Sequence, residues 1–161
     1  MTIPGISKRN DFIWYVKQFL LTPYFWGGDD PMGGIDCSGL VVEGLKGIGE
    51  LQESQDRSAD GLLARFYENR ILENQVKPGC LVFWIDRAGE KAGKATHVAI
   101  FINTYQIIHA TGGGSKTDTL QEAIDKNAYV KIRGFEKTVK DREARQTYII
   151  VDPFEPDPNE R

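Results

Sequence analysis

The chain changes character at Lys77-Pro78-Gly79, and that switch narrows the possible folds more than any other feature. Downstream, "CLVFWI", "THVAIFI", "YQIIHA", "AYVKIRGF" and "TYIIV" are short β-branched and aromatic runs with Gly, Asn, Lys and Asp between them, and they read as strands. Upstream the apolar period is helical. Phe12, Ile13, Val16, Phe19 and Leu20 predict a first helix, N-capped by Ser7 and finished before Pro23, while Leu40, Val41 and Leu45 predict a second that starts at or beside Cys37. In "SADGLLARFYENR", Leu62, Leu63, Phe66 and Tyr67 share one face of a third. "TLQEAIDKN" has Thr119 and Glu122 at capping-box spacing, which predicts a short helix between the third and fourth strands. Helices first and strands later is the α+β pattern, with N-terminal helices packed on one antiparallel sheet.

A length of 161 residues fits one domain able to bury roughly two thirds of its unfolded surface. The expected boundaries are a single domain over residues 1–151 and a flexible tail over 152–161, where "DPFEPDPNER" concentrates proline and acid. No internal repeat is present. The formal charge of -3 argues against a nucleic-acid partner held by bulk electrostatics. No stretch approaches the ~20 apolar residues of a membrane span, and charges interrupt the N-terminus where a secretory signal would carry its apolar core. Without an export signal, Cys37 and Cys80 are expected as free thiols. Nothing in the sequence fixes the oligomeric state.

The segment "PYFWGGDDPMGGIDCSGLVV" holds most of the candidate chemistry. A thiol at a helix N-terminus meets the positive end of the macrodipole and unpaired backbone N–H groups, both of which favour thiolate and can hold an oxyanion. Cys37 is therefore the candidate nucleophile. The chain has two histidines, His97 and His109, both on predicted strands, and the two-residue alternation lets neighbouring strands set their rings side by side. One ring would take the thiol proton while the other orients it. Gly27, Gly28, Gly33 and Gly34 would let the loop fold tightly beneath a groove, so that a peptide backbone can reach Cys37.

These residues resemble a known family. "PYFWGGDDPMGGIDCSGLV", "VKPGCLVFW", and "THVAIFI" followed by "IIHA" are similar to the nucleophile segment, the proline-glycine strand entry and the two histidine strands of the NlpC-type (NlpC/p-sixty) papain-like cysteine peptidases. The match runs from about Ser7 to Phe135. It implies a papain-like fold and hydrolysis of bacterial cell-wall peptides, most often between γ-linked D-glutamate and the following diamino acid. It assigns Cys37 as nucleophile, His97 as base and His109 as orienting residue. Tyr24, Trp26, Asp36, Ser38 and Arg57 become substrate contacts, although Asp36 also suits a plain helix cap and the two aromatics suit core or rim. The partner it implies is a peptidoglycan-derived peptide, and no cofactor or metal is called for.

Two departures stand out: Cys80 replaces the aspartate usual after the proline-glycine pair and reads as structural, and no signal peptide or wall-binding repeat is seen. The expected location is the cytoplasm, or the wall by way of a phage or other export system. Three other readings compete. One is an amidase at the sugar-peptide junction, or an acyltransferase with the same thiol chemistry. Another is a non-catalytic wall-peptide-binding or virion module. The last is a metal module of Cys37, Cys80, His97 and His109, which lacks the close ligand pairs of ordinary zinc sites.

Overall fold

The computed structural model describes residues 6–30, 34–52, 58–114 and 116–154. Helices α1 (Ile6–Lys17), α2 (Cys37–Gly47) and α3 (Ala59–Phe66) come first, with a two-residue ribbon of β1 (Asp29–Asp30) and β2 (Gly34–Ile35) inside the glycine loop. Strands β3 (Arg70–Ile71), β4 (Leu81–Asp86), β5 (Ala95–Phe101), β6 (Gln106–Thr111), β7 (Tyr129–Gly134) and β8 (Gln146–Val151) follow. Helix α4 (Leu120–Asp125) precedes β7, and helix α5 (Phe135–Arg142) follows it. The sheet is antiparallel throughout, in the order β3-β8-β4-β5-β6-β7. The α+β reading and the five long strands therefore stand as expected.

Both sheet faces are covered, which explains why β4 to β6 are almost continuously apolar rather than alternating with polar residues. Leu81, Phe83, Val98, Ile100 and Ile108 pack with Phe12, Val16, Leu40 and Leu45 of the N-terminal helices. The reverse face sets Val82, Trp84, Ala99, Phe101 and Ile107 against Phe135 and Val139 of α5. Each fully buried large side chain contributes about 1.5–3 kcal/mol.

Several local expectations are corrected. Ser7 lies inside α1 rather than capping it, and that helix ends at Lys17, so Leu20 falls beyond it and is exposed. Tyr67 leaves the α3 face, because the chain tightens into a separate turn at Tyr67–Asn69 and exposes it. Thr119 does cap α4 by accepting from the Glu122 N–H, but the Glu122 carboxylate takes the Asp118 N–H, one residue before the capping-box position. Helix α5 was not expected, since "FEKTVKDR" offers only two apolar residues. The C-terminal end is packed as far as Phe154: Asp152 pairs with Arg9 at 2.6 Å, and the Phe154 ring meets Phe12 with centroids 5.6 Å apart. The remaining tail, 155–161, lies outside the described residues.

Candidate active site

Cys37 is the first residue of α2, and Asp36 is its cap. The Gly39 N–H donates to Asp36 Oδ1 at 2.7 Å, the Ser38 hydroxyl to the same oxygen at 3.2 Å, and the Gly27 N–H to Oδ2 at 3.0 Å. Asp36 thus ties the glycine loop to the helix start. Four glycines here are required by space or angle: Gly27 has φ +71° and Gly34 φ +143°, while a Cβ on Gly28 would press on the Gly34 carbonyl oxygen and one on Gly39 on the Gly28 carbonyl oxygen. Gly33 lies outside the described residues.

A hollow of about 530 Å³ opens beside Cys37, lined by Trp26, Asp36, Ser38, Asp60 and Thr96 among others. This is the size of an ordinary small-molecule site. Tyr24 is buried with its ring against Gly113, close enough to Cys37 and Asp36 for their charges, after desolvation, to hold its hydroxyl well above the usual tyrosine range. Trp26 stays on the rim, 45% exposed. Arg57 falls outside the described residues, although its neighbour Ser58 lines the hollow.

The rings of His97 and His109 meet, with His97 Nε2 at 2.7 Å from His109 Nδ1. The β5–β6 register, with Ile100 opposite Ile108 and Phe101 opposite Ile107, puts the two on one sheet face as a diagonal pair. The backbone N–H groups of Ser38 and of Val98, the residue after His97, stand close enough to the Cys37 sulfur to favour its thiolate. Nucleophile candidate and histidine pair are thereby joined through β5.

Burial works against the thiolate that the helix start favours. Burial, reinforced by the Asp36 carboxylate, pushes the Cys37 thiol up to about 11, outweighing its two N–H contacts. Burial likewise holds His97 well below its ordinary value and His109 down at about 3, helped in both cases by the Arg142 guanidinium.

Cys80 is fully buried, accepts the Lys77 N–H at 3.4 Å and is likewise pushed up to about 11, which suits a structural residue. Both cysteines are free. Among the described residues, no three His, Cys, Asp or Glu side chains gather as a metal site, and no helix is long and apolar enough to cross a membrane.

The sequence model of the NlpC/P60 family matches residues 21–134. The chain belongs to that family. Murein DD-endopeptidase MepH of Escherichia coli is 30% identical over 120 residues, which is 73% of this chain and 42% of that protein. The bifunctional muramidase/DL-endopeptidase CwlT of Bacillus subtilis is 31% identical over 100 residues, covering 62% of this chain and 28% of that protein. The chain spans less than half the length of either relative. The P60 domain of an M. avium subspecies paratuberculosis antigen superposes with TM-score 0.68 at 20% identity, covering 96% of this chain and 100% of that one. NlpC1 of Trichomonas vaginalis gives the same score and identity over 96% of this chain and 47% of that one. Both likenesses establish the fold.

Two residues of this NlpC/P60 chain escaped the sequence reading. Thr96 borders both the Cys37 hollow and a second hollow that contains His97, while Arg142, from α5, lines that second hollow. Thr96 had a signal in its place beside His97. Arg142 had none, because α5 itself was not foreseen.

The buried histidines make stability fall on acidification. Below pH 6.5 the unfolded chain binds protons that the folded His109 refuses until about 3, so ΔG of unfolding rises with pH across this window and drops as pH falls. At pH 5 this costs about 2 kcal/mol for His109, with His97 adding in the same direction. Thermal melts at pH 7 and 5 should show the drop, and His109→Asn should shrink it; an identical drop in the variant would refute the buried neutral ring.

Proposed function

We propose that this chain is a cysteine peptidase that hydrolyses peptidoglycan peptides at the bond between γ-D-glutamate and the diamino acid. The observation that carries the reading is the chain of contacts from Cys37, at a helix N-terminus, through the Val98 N–H to the His97–His109 pair. The names of the curated relatives support the substrate class: one is called a murein DD-endopeptidase, another a DL-endopeptidase.

In this reading His97 uses Nε2–H to donate to His109 Nδ1, which leaves Nδ1 of His97 to take the Cys37 proton. The thiolate adds to the carbonyl carbon, and the Cys37 N–H at the start of α2 faces the developing oxyanion, the Gly39 N–H being held by Asp36. Collapse breaks the C–N bond while His97 returns the proton to the leaving amine, giving a thioester. Water, deprotonated by His97, then releases the acid and regenerates the thiol. A positive charge on His97 requires both of its N–H groups, so His109 Nδ1 accepts and its own proton sits on Nε2, a buried atom with no hydrogen-bond partner among the described residues. Asp36 and Ser38 form the wall on which the acyl half of the peptide lies, Trp26 borders both that hollow and the one that holds His97, Tyr24 lines the latter, and Arg57 is the further contact in this assignment.

Product masses test it. Incubation with L-Ala-γ-D-Glu-diamino acid peptides is expected to release the L-Ala-D-Glu dipeptide, and Cys37→Ala to release none. Masses showing cleavage at the sugar-peptide junction, or equal turnover by Cys37→Ala, would overturn the bond assignment or the nucleophile respectively.

A further inference from the structure

Arg142 lies just beyond the segment matched by the family, in α5, yet it lines the same hollow of about 160 Å³ as His97, together with Tyr24, Trp26 and Thr96. It is half-buried, with its guanidinium carbon 5.2 Å from the centre of the Trp84 ring. Among the described residues its one hydrogen bond is from Nη1 to Gln146 Oε1, at 3.0 Å, and no carboxylate stands within ion-pair distance. Gln146 also stands between Arg142 and the nearby Asp86, whose charge is felt at the guanidinium without a direct pair. The Gln146 amide nitrogen donates to Asp86 Oδ1 at 2.7 Å and to the Thr96 hydroxyl at 2.9 Å, and the Thr96 hydroxyl donates to the same Asp86 oxygen at 2.7 Å. The guanidinium is thus held in place without a direct carboxylate partner. A desolvated, unpaired cation is costly to keep, and a planar guanidinium is the side chain best shaped for a carboxylate.

The direction of the reaction says which carboxylate. Resting on the peptidase reading above, the acyl half of the substrate is bonded to Cys37 while the leaving amine takes its proton from His97. The residue that leaves therefore lies on the histidine side, in the hollow Arg142 lines. We propose that Arg142 is a specificity residue that binds the free α-carboxylate of the leaving diamino acid, so that this chain prefers peptides ending at that residue over chains that continue or are amidated there.

The test compares L-Ala-γ-D-Glu-L-Lys with its C-terminal carboxamide, and the same pair built on meso-diaminopimelate, using wild type, Arg142→Gln and Arg142→Lys. Wild type is expected to cut the acid at least about tenfold better in kcat/KM, the least a charge-assisted pair in a partly dry site contributes. In Arg142→Gln the acid-to-amide ratio should fall to about one. Arg142→Lys, which keeps the charge but loses the fork, should sit between. A role confined to packing on Trp84, or to the field felt by the histidines, would lower both rates together and leave the ratio at the wild-type value, and that result overturns the proposal. Arg65→Gln, which removes a distant positive charge, should keep the wild-type ratio; if it does not, bulk charge is responsible and the subsite is refuted. Wild type cutting acid and amide equally overturns the subsite alone, even if Arg142→Gln fails to fold. Wild type cutting neither member of either pair overturns the peptidase reading and the subsite with it.

Discussion

Replacing His97 with alanine is expected to lower kcat/KM on a defined wall tripeptide by about 10²–10⁴-fold or more, the contribution of a general base. Burial pushes the Cys37 thiol up, which adds to the need for a base beside it. His109 makes a separable claim. Its Nδ1, 2.7 Å from His97 Nε2, holds and polarises the first ring without touching the thiol, so its loss should be milder. His109→Asn keeps an oxygen able to accept the His97 N–H, whereas His109→Ala leaves a buried donor without a partner, at about 1–3 kcal/mol. The expected order of kcat/KM is wild type, His109→Asn, His109→Ala, His97→Ala, with melts confirming that each variant is folded. Full activity in a folded His97→Ala would end its role as base, and wild-type behaviour in His109→Ala would move the orienting residue elsewhere.

What could be read along the chain was whatever depends on neighbours in sequence. The start of α2 at Cys37 was visible because Asp36 precedes an apolar run, and the histidine pair because alternation on adjacent strands is a local property. The state of the thiol was not. A helix N-terminus favours thiolate, but burial and a carboxylate one residue away oppose it, and burial is decided by what α2 packs against. Tyr67 and Leu20 failed for a related reason: both continue a helical period past the point where the chain turns. Helix α5 depends on two apolar residues, Phe135 and Val139, which acquire meaning only once the reverse face of the sheet with Phe101 and Ile107 exists to receive them. With α5 hidden, Arg142 was hidden too. Phe154, in a segment whose composition suggested disorder, is fixed by Phe12 and Arg9 from the opposite end of the chain.

Gly39→Ala should be strongly damaging although it removes no functional group. In a helix interior this substitution ordinarily stabilises by about 1 kcal/mol. Here the added Cβ would fall inside contact distance of the Gly28 carbonyl oxygen, which is backbone and already accepts the Asp36 N–H at 3.0 Å. Neither side can yield by rotating a side chain, so the loop must move away from α2 and strain both that bond and the one from the Gly27 N–H to Asp36 Oδ2. Overpacking of this kind costs about 1–3 kcal/mol or more, and for a domain of this size each kcal/mol lowers Tm by about 2–4 °C. Because Gly27, Gly28 and Asp36 wall the hollow beside Cys37, the same displacement should reduce turnover well below the melting range. Gly134→Ala is the control, since nothing lies within 4 Å of a Cβ there and the backbone is at φ -69°, which alanine adopts freely. Its Tm should stay close to wild type with activity kept. If Gly39→Ala instead melts with Gly134→Ala and cleaves at the wild-type rate, the glycine loop does not press on α2, and the close approach drawn here between loop and nucleophile helix is wrong.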